Sequence, residues 1–295
     1  MSQCILVELR WQRRRWQFTL PFCLQTTNVL ITLTTDFGVS SPYVAAMKGS
    51  LLSICRNVEL IDITHAIPPQ DVRQAAVVLA DVTPVFPRGT LHVAVIDPGV
   101  GTERRIVYAE IGDQRYLAPD NGLLSYLTHR VQPHLIVEVT NRSYWREAVS
   151  NTFHGRDIFA PVAGHLASGL APDDLGSVTN QLVDLDWPEP QYLPDQALGE
   201  VLYIDSFGNI ITNLSLEELF PATDRADLVV SCNGHDIAGL QTTYGQRRSE
   251  ELIALGDSQG RLEIARVNGN AAALLAAKAG DAVRVWQRSG ERLQS

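Results

Sequence analysis

A chain of 295 residues with 45% apolar and 19% charged side chains has the make-up of an ordinary globular protein, long for one core and comfortable for two. Its net charge of −9 leaves no basic surplus to neutralise phosphates, which argues against a general nucleic-acid binder. Four scattered cysteines without C-x-x-C spacing, seven histidines without an H-x-x-x-H or H-E-x-x-H pair, and no apolar run of roughly 18 residues argue against a disulfide framework, a structural metal and a membrane span.

In the first 27 residues Arg10, Arg13, Arg14 and Arg15 are interleaved with Trp11 and Trp16. No apolar segment followed by a small-residue cleavage site is present, so the arm is not a secretory signal; it is expected to lie outside the fold, poorly ordered. With reduced thiols, a cytoplasmic protein is expected.

From Asn28 strands and helices alternate. Asn28–Thr35 reads as a strand, Val44–Cys55 as a helix, Val58–Thr64 as a strand, and Val72–Phe86 as a helix through Ala75, Val78, Leu79 and Val82. Leu91–Ile96 is a third strand, Ile106–Ile111 and Tyr116–Ala118 add sheet, Leu135–Val139 is another strand, and Ile158–Ser168 is a helix. Such alternation predicts an α/β domain over 28–185 with a largely parallel sheet. Three prolines in 186–195 mark a linker. Beyond it come short β-like runs at Gly199–Ile204, Ile210–Thr212, Leu228–Ser231, Glu251–Leu255, Arg261–Val267 and Asp281–Trp286. Turn pairs such as Gly208-Asn209 and Asn233-Gly234 separate them, so 196–295 is predicted to be a smaller all-β domain, barrel or sandwich.

Residues 91–105 are the most pointed stretch. A strand of Val and Ile ends in Asp97-Pro98-Gly99, and Arg104 and Arg105 follow a short turn later. A carboxylate at the carboxyl end of a strand, beside guanidinium groups, stands where open α/β sheets bind ligands. Gly99-Val100-Gly101 is a poor dinucleotide loop, because Pro98 precedes it and the third glycine is missing. Asp36 before Phe37-Gly38 is not a kinase metal site, since no catalytic loop or paired lysine accompanies it. His154 adjoins Gly155, which permits close backbone approach, just before a predicted helix.

Together the strings TTDFG, VIDPGVGTERR, PDNG, TFHGRDIFAP and IDSFGNIITN give the chain a resemblance to the SAM hydroxide adenosyltransferases, from about Val29 to Trp286. These S-adenosyl-L-methionine (SAM) hydrolases, adenosine-forming, are related to fluorinating and chlorinating enzymes that use the same substrate. The resemblance implies attack of water or hydroxide on the ribose 5′ carbon, with methionine expelled and no cofactor beyond the substrate. Its catalytic side chains fall on Asp97, Arg104 and His154: Asp97 to orient and deprotonate water, Arg104 to keep Asp97 ionised, His154 to hold the water or relay its proton.

The resemblance also implies binding roles. Asp36 would take the ribose hydroxyls and Phe153 would contact substrate. Phe207 and Asn209 would contact adenine, Tyr244 would stack on it, Asp205 would face the methionine ammonium, and Ser258 would approach its carboxylate. Gln259 departs from the halogenating relatives, which have arginine there. Those relatives also carry a tyrosine at the place of Asp97 and a halide-binding serine at the place of Gly155. An aspartate about 4 Å from a halide costs about 4 kcal/mol at an effective dielectric near 20, which favours water. A homotrimer is implied, with sites between the first domain of one subunit and the second of the next. The alternatives are a SAM-dependent halogenase and an idle SAM- or adenosine-binding protein.

Overall fold

The computed structural model describes residues 29–219 and 224–288; the arm of residues 1–27, with Cys4 and Cys23, lies outside them. Among the described residues no helix is long and apolar enough to cross a membrane, and Cys55 and Cys232 are free thiols.

β-Branched runs make the first sheet. Val29–Thr35 (β1) pairs in parallel with Val58–Thr64 (β2) on one side and Leu91–Val95 (β3) on the other. Gln114–Pro119 (β5) continues the parallel set beside β3, and Ile106–Ile111 (β4) runs antiparallel between β5 and Pro133–Glu138 (β6). The order is β2-β1-β3-β5-β4-β6, with only β4 reversed. Side chains alternate across β3. Val93 and Val95 pack with Met47 and Leu51 of α1 (Tyr43–Ile54) and Val162 of α4 (Ala160–Ala167). Ala94 and Ile96 face Ala75 and Leu79 of α2 (Val72–Val82) and Leu127 of α3 (Ser125–Thr128). Helices on both faces bury a parallel sheet completely, as its apolar strands require.

The predicted elements need local correction where proline intervenes. α2 stops at Val82 instead of Phe86 and tightens into a 3₁₀ turn over Thr83–Val85, because Pro84 cannot donate the next helical bond. The helix expected from Ile158 begins earlier, as a π-helical turn over Gly155–Phe159. Pro161 leaves the Asp157 carbonyl without a helical donor, and Arg146 N–H takes it at 2.9 Å.

The second sheet is nine-stranded, nearly closed and barrel-like. Its order is β11-β10-β15-β8-β9-β14-β13-β12, with β7 (Gln191–Tyr192) added beside β8 (Gln196–Ile204). The others are β9 (Ile210–Ser215), β10 (Leu228–Cys232), β11 (His235–Ala238), β12 (Leu240–Gln241), β13 (Leu252–Gly256), β14 (Arg261–Arg266) and β15 (Ala282–Gln287). This part is not purely β. Ala271–Leu275 forms a short helix, α5, because Asn270 caps an Ala-Leu run by accepting Ala273 N–H at 2.6 Å. Within 186–195 the chain is docked: Trp187 Nε1 donates to Ser125 Oγ at 2.9 Å, and Tyr192 Oη accepts Ser215 N–H at 2.7 Å.

A buried guanidinium ties the two sheets. Arg261 of β14 reaches Asp81 of α2 at 2.5 Å and Asp257 at 3.0 Å. Both carboxylates are buried around it, which offsets the cost of desolvating the cation.

Candidate active site

The strand order reverses at β1: β2 lies on one side and β3 on the other. The crevice outside the carboxyl ends of β1 and β3 is the place where such a sheet accepts a ligand. Thr35 and Val95 are register partners, so Asp36 and Asp97 emerge beside one another at that edge.

Asp97, Arg104 and His154 come together there. Arg104 Nε donates to both Asp97 oxygens, at 2.9 and 3.0 Å, and its Nη2 donates to Oδ2 at 2.5 Å. The same Nη2 lies 2.7 Å from His154 Nδ1. Arginine only donates, so Nδ1 is the acceptor and the neutral ring carries its proton on Nε2. Burial, and then the Arg104 charge, push His154 below its ordinary value, which favours that neutral form. The side chains of Asp97 and Arg104 are 5% and 11% exposed, so the pair is shielded enough for its charges to act strongly.

Local structure explains the convergence. Gly101 has φ +78°, and a Cβ there would stand 2.3 Å from the Asn151 carbonyl oxygen, so glycine lets the Arg104 loop lie against the His154 loop. The latter is gathered around buried Asp157, which accepts from Arg156 Nε at 2.7 Å and Ser150 N–H at 2.9 Å. Burial opposes ionisation of Asp157, but the Arg156 and Ser150 hydrogen bonds and the Arg146 charge outweigh it and hold the carboxyl below its usual range. On the other flank Arg105 pairs with Asp120, while Asn121 Nδ2 donates to the Ile96 carbonyl at 2.9 Å. The Asp-Asn of PDNG thus anchors the end of β3. Residue type alone does not mark Asp157, Asp120 and Asn121 as supports; their places inside the strings TFHGRDIFAP and PDNG do.

Asp36 is half-tethered: its Oδ2 accepts Gln70 N–H at 2.8 Å. Gln70 takes φ +66°, a left-handed backbone that costs roughly 1–2 kcal/mol in a residue with a Cβ. Phe37, Tyr43 and Phe153 form an edge-to-face trio with centroids 5.2–5.9 Å apart. Gly155 sits beneath it, where a Cβ would meet Met47 Sδ at 3.0 Å and Phe37 Cζ at 3.3 Å. Phe37 and Tyr43 carried no residue-level signal of their own.

The predicted binding residues of the second half form a separate group. Asp205 folds its loop by accepting Phe207 N–H at 2.8 Å and Asn209 N–H at 2.9 Å through Oδ1, and Asn209 Nδ2 at 3.0 Å through Oδ2. Phe207, Asn209 and Tyr244 line a cavity of about 660 Å³ with Arg266 and Val267. Tyr244 donates its hydroxyl to Glu263 at 2.8 Å, and burial pushes the Glu263 carboxyl up. Ser258 is exposed in the β13–β14 turn and is not part of that lining, nor is Asp205.

Arg104 and His154 line a different cavity of about 700 Å³. Among the described residues, no hydrogen bond, ion pair or ring contact joins the two groups within one chain. The structure therefore joins the three residues expected to be catalytic by hydrogen bonds, with Asp36 near them by strand register and Phe153 by chain adjacency. Asp97, Asp36 and Phe153 are not in the lining of the 700 Å³ cavity, and the second-half residues form their own group.

Residues 31–176 match the SAM hydroxide adenosyltransferase N-terminal domain, and residues 199–284 match the SAM hydroxide adenosyltransferase C-terminal domain. A protein of Salinispora tropica named (R)-S-adenosyl-L-methionine hydrolase is 39% identical over 260 residues, 86% of this chain and 97% of its own length. One of the same name from Thermus thermophilus is 38% identical, covering 85% and 96%. A fluorinase of Nocardia brasiliensis is more distant, 30% identical over 66% of this chain and 75% of its own. The crystal structure of an uncharacterized conserved protein from Thermotoga maritima superposes with a TM-score of 0.82 at 35% identity, covering 87% of this chain and all of that one. With both of its halves matched, and full-length relatives this similar, the chain belongs to the SAM hydroxide adenosyltransferase family.

Proposed function

We propose that this protein hydrolyses SAM at the ribose 5′ carbon, giving adenosine and L-methionine. The observation that carries the reading is the single guanidinium of Arg104 holding Asp97 and His154 at one edge of the switch-point crevice.

The sulfonium makes methionine a ready leaving group, so the protein's task is to place and activate water. Asp97, fixed by the Arg104 fork, accepts a water proton; its oxygens retain lone pairs beyond those Arg104 occupies. His154 offers Nε2–H to the water oxygen and so aims a lone pair at C5′. With Nδ1 engaged by Arg104, the ring acts as a donor, a narrower role than proton relay. The O–C5′ bond forms as C5′–S breaks, methionine departs with the electron pair as a thioether, and one proton passes through Asp97 to solvent. Alignment of this kind supplies several kcal/mol, on the order of the effective-molarity gain. No cofactor is called on.

Halide is a poor substitute for water. Asp97 opposes an anion, and Gly155 has Met47 Sδ and Phe37 where a serine Cβ would go. Asp36, with one oxygen tied by Gln70, has Oδ1 for the ribose diol, and the ring of Phe153 packs on Phe37, the next residue along the chain.

The second half of the site comes, in this reading, from a neighbouring subunit of a homotrimer: Phe207, Asn209 and Tyr244 for adenine, Asp205 and Ser258 for the methionine end. Support lies in exposed aromatic surface on both groups, with Phe207 75%, Tyr43 50% and Tyr244 45% accessible. A cytoplasmic setting fits the free thiols Cys55 and Cys232.

Incubation with SAM in ¹⁸O-water tests the chemistry. Equal adenosine and methionine, with label in the 5′ hydroxyl, is the expected result; unlabelled adenosine refutes direct attack. Co-refolding Asp97→Ala with Asn209→Ala chains tests the assembly. Assayed at SAM far below KM, shared sites should lift kcat/KM above the mean of the two parent variants to about a quarter of wild type, since random mixing pairs the two intact halves in that fraction. No restoration would place both halves in one subunit.

A further inference from the structure

Behind the Asp36 turn runs a line of polar groups on which hydrolysis makes no call. Thr35 ends β1 and His65 follows β2, and the pairing of these strands brings the two buried side chains together. Thr35 Oγ1 lies 2.9 Å from His65 Nδ1. On the far side of the ring Nε2 is 3.1 Å from Asp62 Oδ1, and Asp62 Oδ2 accepts Lys48 Nζ at 2.6 Å. The Asp62 oxygen sits off the ring N–H axis, so that contact acts by charge more than as a hydrogen bond.

A carboxylate beside Nε2 favours the proton there, which leaves Nδ1 as acceptor and the Thr35 hydroxyl as donor. The lone pairs of Thr35 Oγ1 then face outward, and Phe37 N–H points to them at 3.3 Å. The backbone of His65 completes the grip, its carbonyl accepting Gly38 N–H at 2.8 Å, with Gly38 at φ +75°. His65 thus holds the Asp36-Phe37-Gly38 turn twice, through Thr35 on one side and through its own carbonyl on the other.

We propose that His65, backed by Asp62 and Lys48, is a positioning residue that sets the Asp36 turn for the ribose end of the substrate. This rests on the SAM-hydrolase reading and adds to it a residue outside the reacting groups. An inert core histidine would, when removed, lower stability and leave the balance between binding and turnover unchanged. A positioning histidine shifts that balance.

The experiment pairs adenosine calorimetry with SAM kinetics on wild type, His65→Ala, His65→Asn and Asp62→Asn. In His65→Ala the adenosine Kd and the SAM KM should rise about five- to tenfold, the loss of one well-placed hydrogen bond, while kcat changes less. His65→Asn, whose amide stands near the Nδ1 position, should recover most of the affinity. Unchanged adenosine affinity in His65→Ala, or an asparagine variant no better than alanine, overturns the proposal. Asp62 is exposed, so Asp62→Asn carries the test should His65→Ala fail to fold; a two- to threefold rise in Kd is expected, and no rise overturns. A wild-type protein that neither binds adenosine nor releases it from SAM sinks the functional reading itself. Wild-type activity with indifferent variants sinks this inference alone.

Discussion

The end of β3 and the loops of the second sheet treat their functional groups in opposite ways. At β3 the polar atoms are already engaged with one another: Asp97 and Arg104 are nearly shielded, and His154 is locked to the same guanidinium. In the second sheet Asp205 and Asn209 are engaged with each other, but the rings predicted to meet adenine are open, with Phe207 three-quarters and Tyr244 nearly half exposed. Groups that must move a proton gain from being fixed in advance, because reorganisation at the moment of reaction is avoided. Groups that grip a flat ring need only a surface to close upon. On the proposed reading the first region serves the chemistry and the second serves binding.

The largest break in this contrast should come from Asp97→Ala. Turnover should fall about 10²–10⁴-fold in a product-release assay, with SAM affinity by calorimetry little changed. Unaltered kcat removes Asp97 from the mechanism. Next in size is an acid sensitivity confined to the first sheet. His92 is wholly buried against Phe86 and Tyr116, and burial lowers it from 6.5 to about 4. The unfolded chain therefore binds a proton that the folded chain refuses, so this stability is full above pH 6.5 and is lost as pH falls toward 4. The loss should approach about 3 kcal/mol in urea titrations, and His92→Gln should flatten the slope. Smallest is Tyr244→Ala in the second sheet. A KM rise of about two- to tenfold with nearly constant kcat is expected from the loss of one stacking ring. A kcat loss equal to that of Asp97→Ala would erase the distinction between the regions.

Legibility in the sequence followed the same divide. Strands β1, β2, β3 and β4 were readable because β-branched runs bounded by turn residues leave few other conformations. The convergence of Asp97, Arg104 and His154 was legible through shared strings, since residues 50 apart carry no local sign of contact. Proline effects were only partly visible: Pro84 and Pro161 act on hydrogen bonds that exist once the helix does. The tautomer of His154 depends on which atom meets Arg104, and the Thr35–His65 contact on strand pairing. Short strands such as β11 and β12 leave no sequence signal, because His235–Ala238 and Leu240–Gln241 alternate too briefly to show a period.

Arg261, clasped by Asp81 and Asp257, has a consequence for how a molecule gets in and out. Parting the sheets would take Asp81 away from Arg261, which keeps Asp257, and so give up a buried, preorganised ion pair that joins them. A clam-like hinge inside the monomer is therefore disfavoured. Admission of reactant and escape of products fall instead to loops at the rim or, in the proposed trimer, to the seams between its copies.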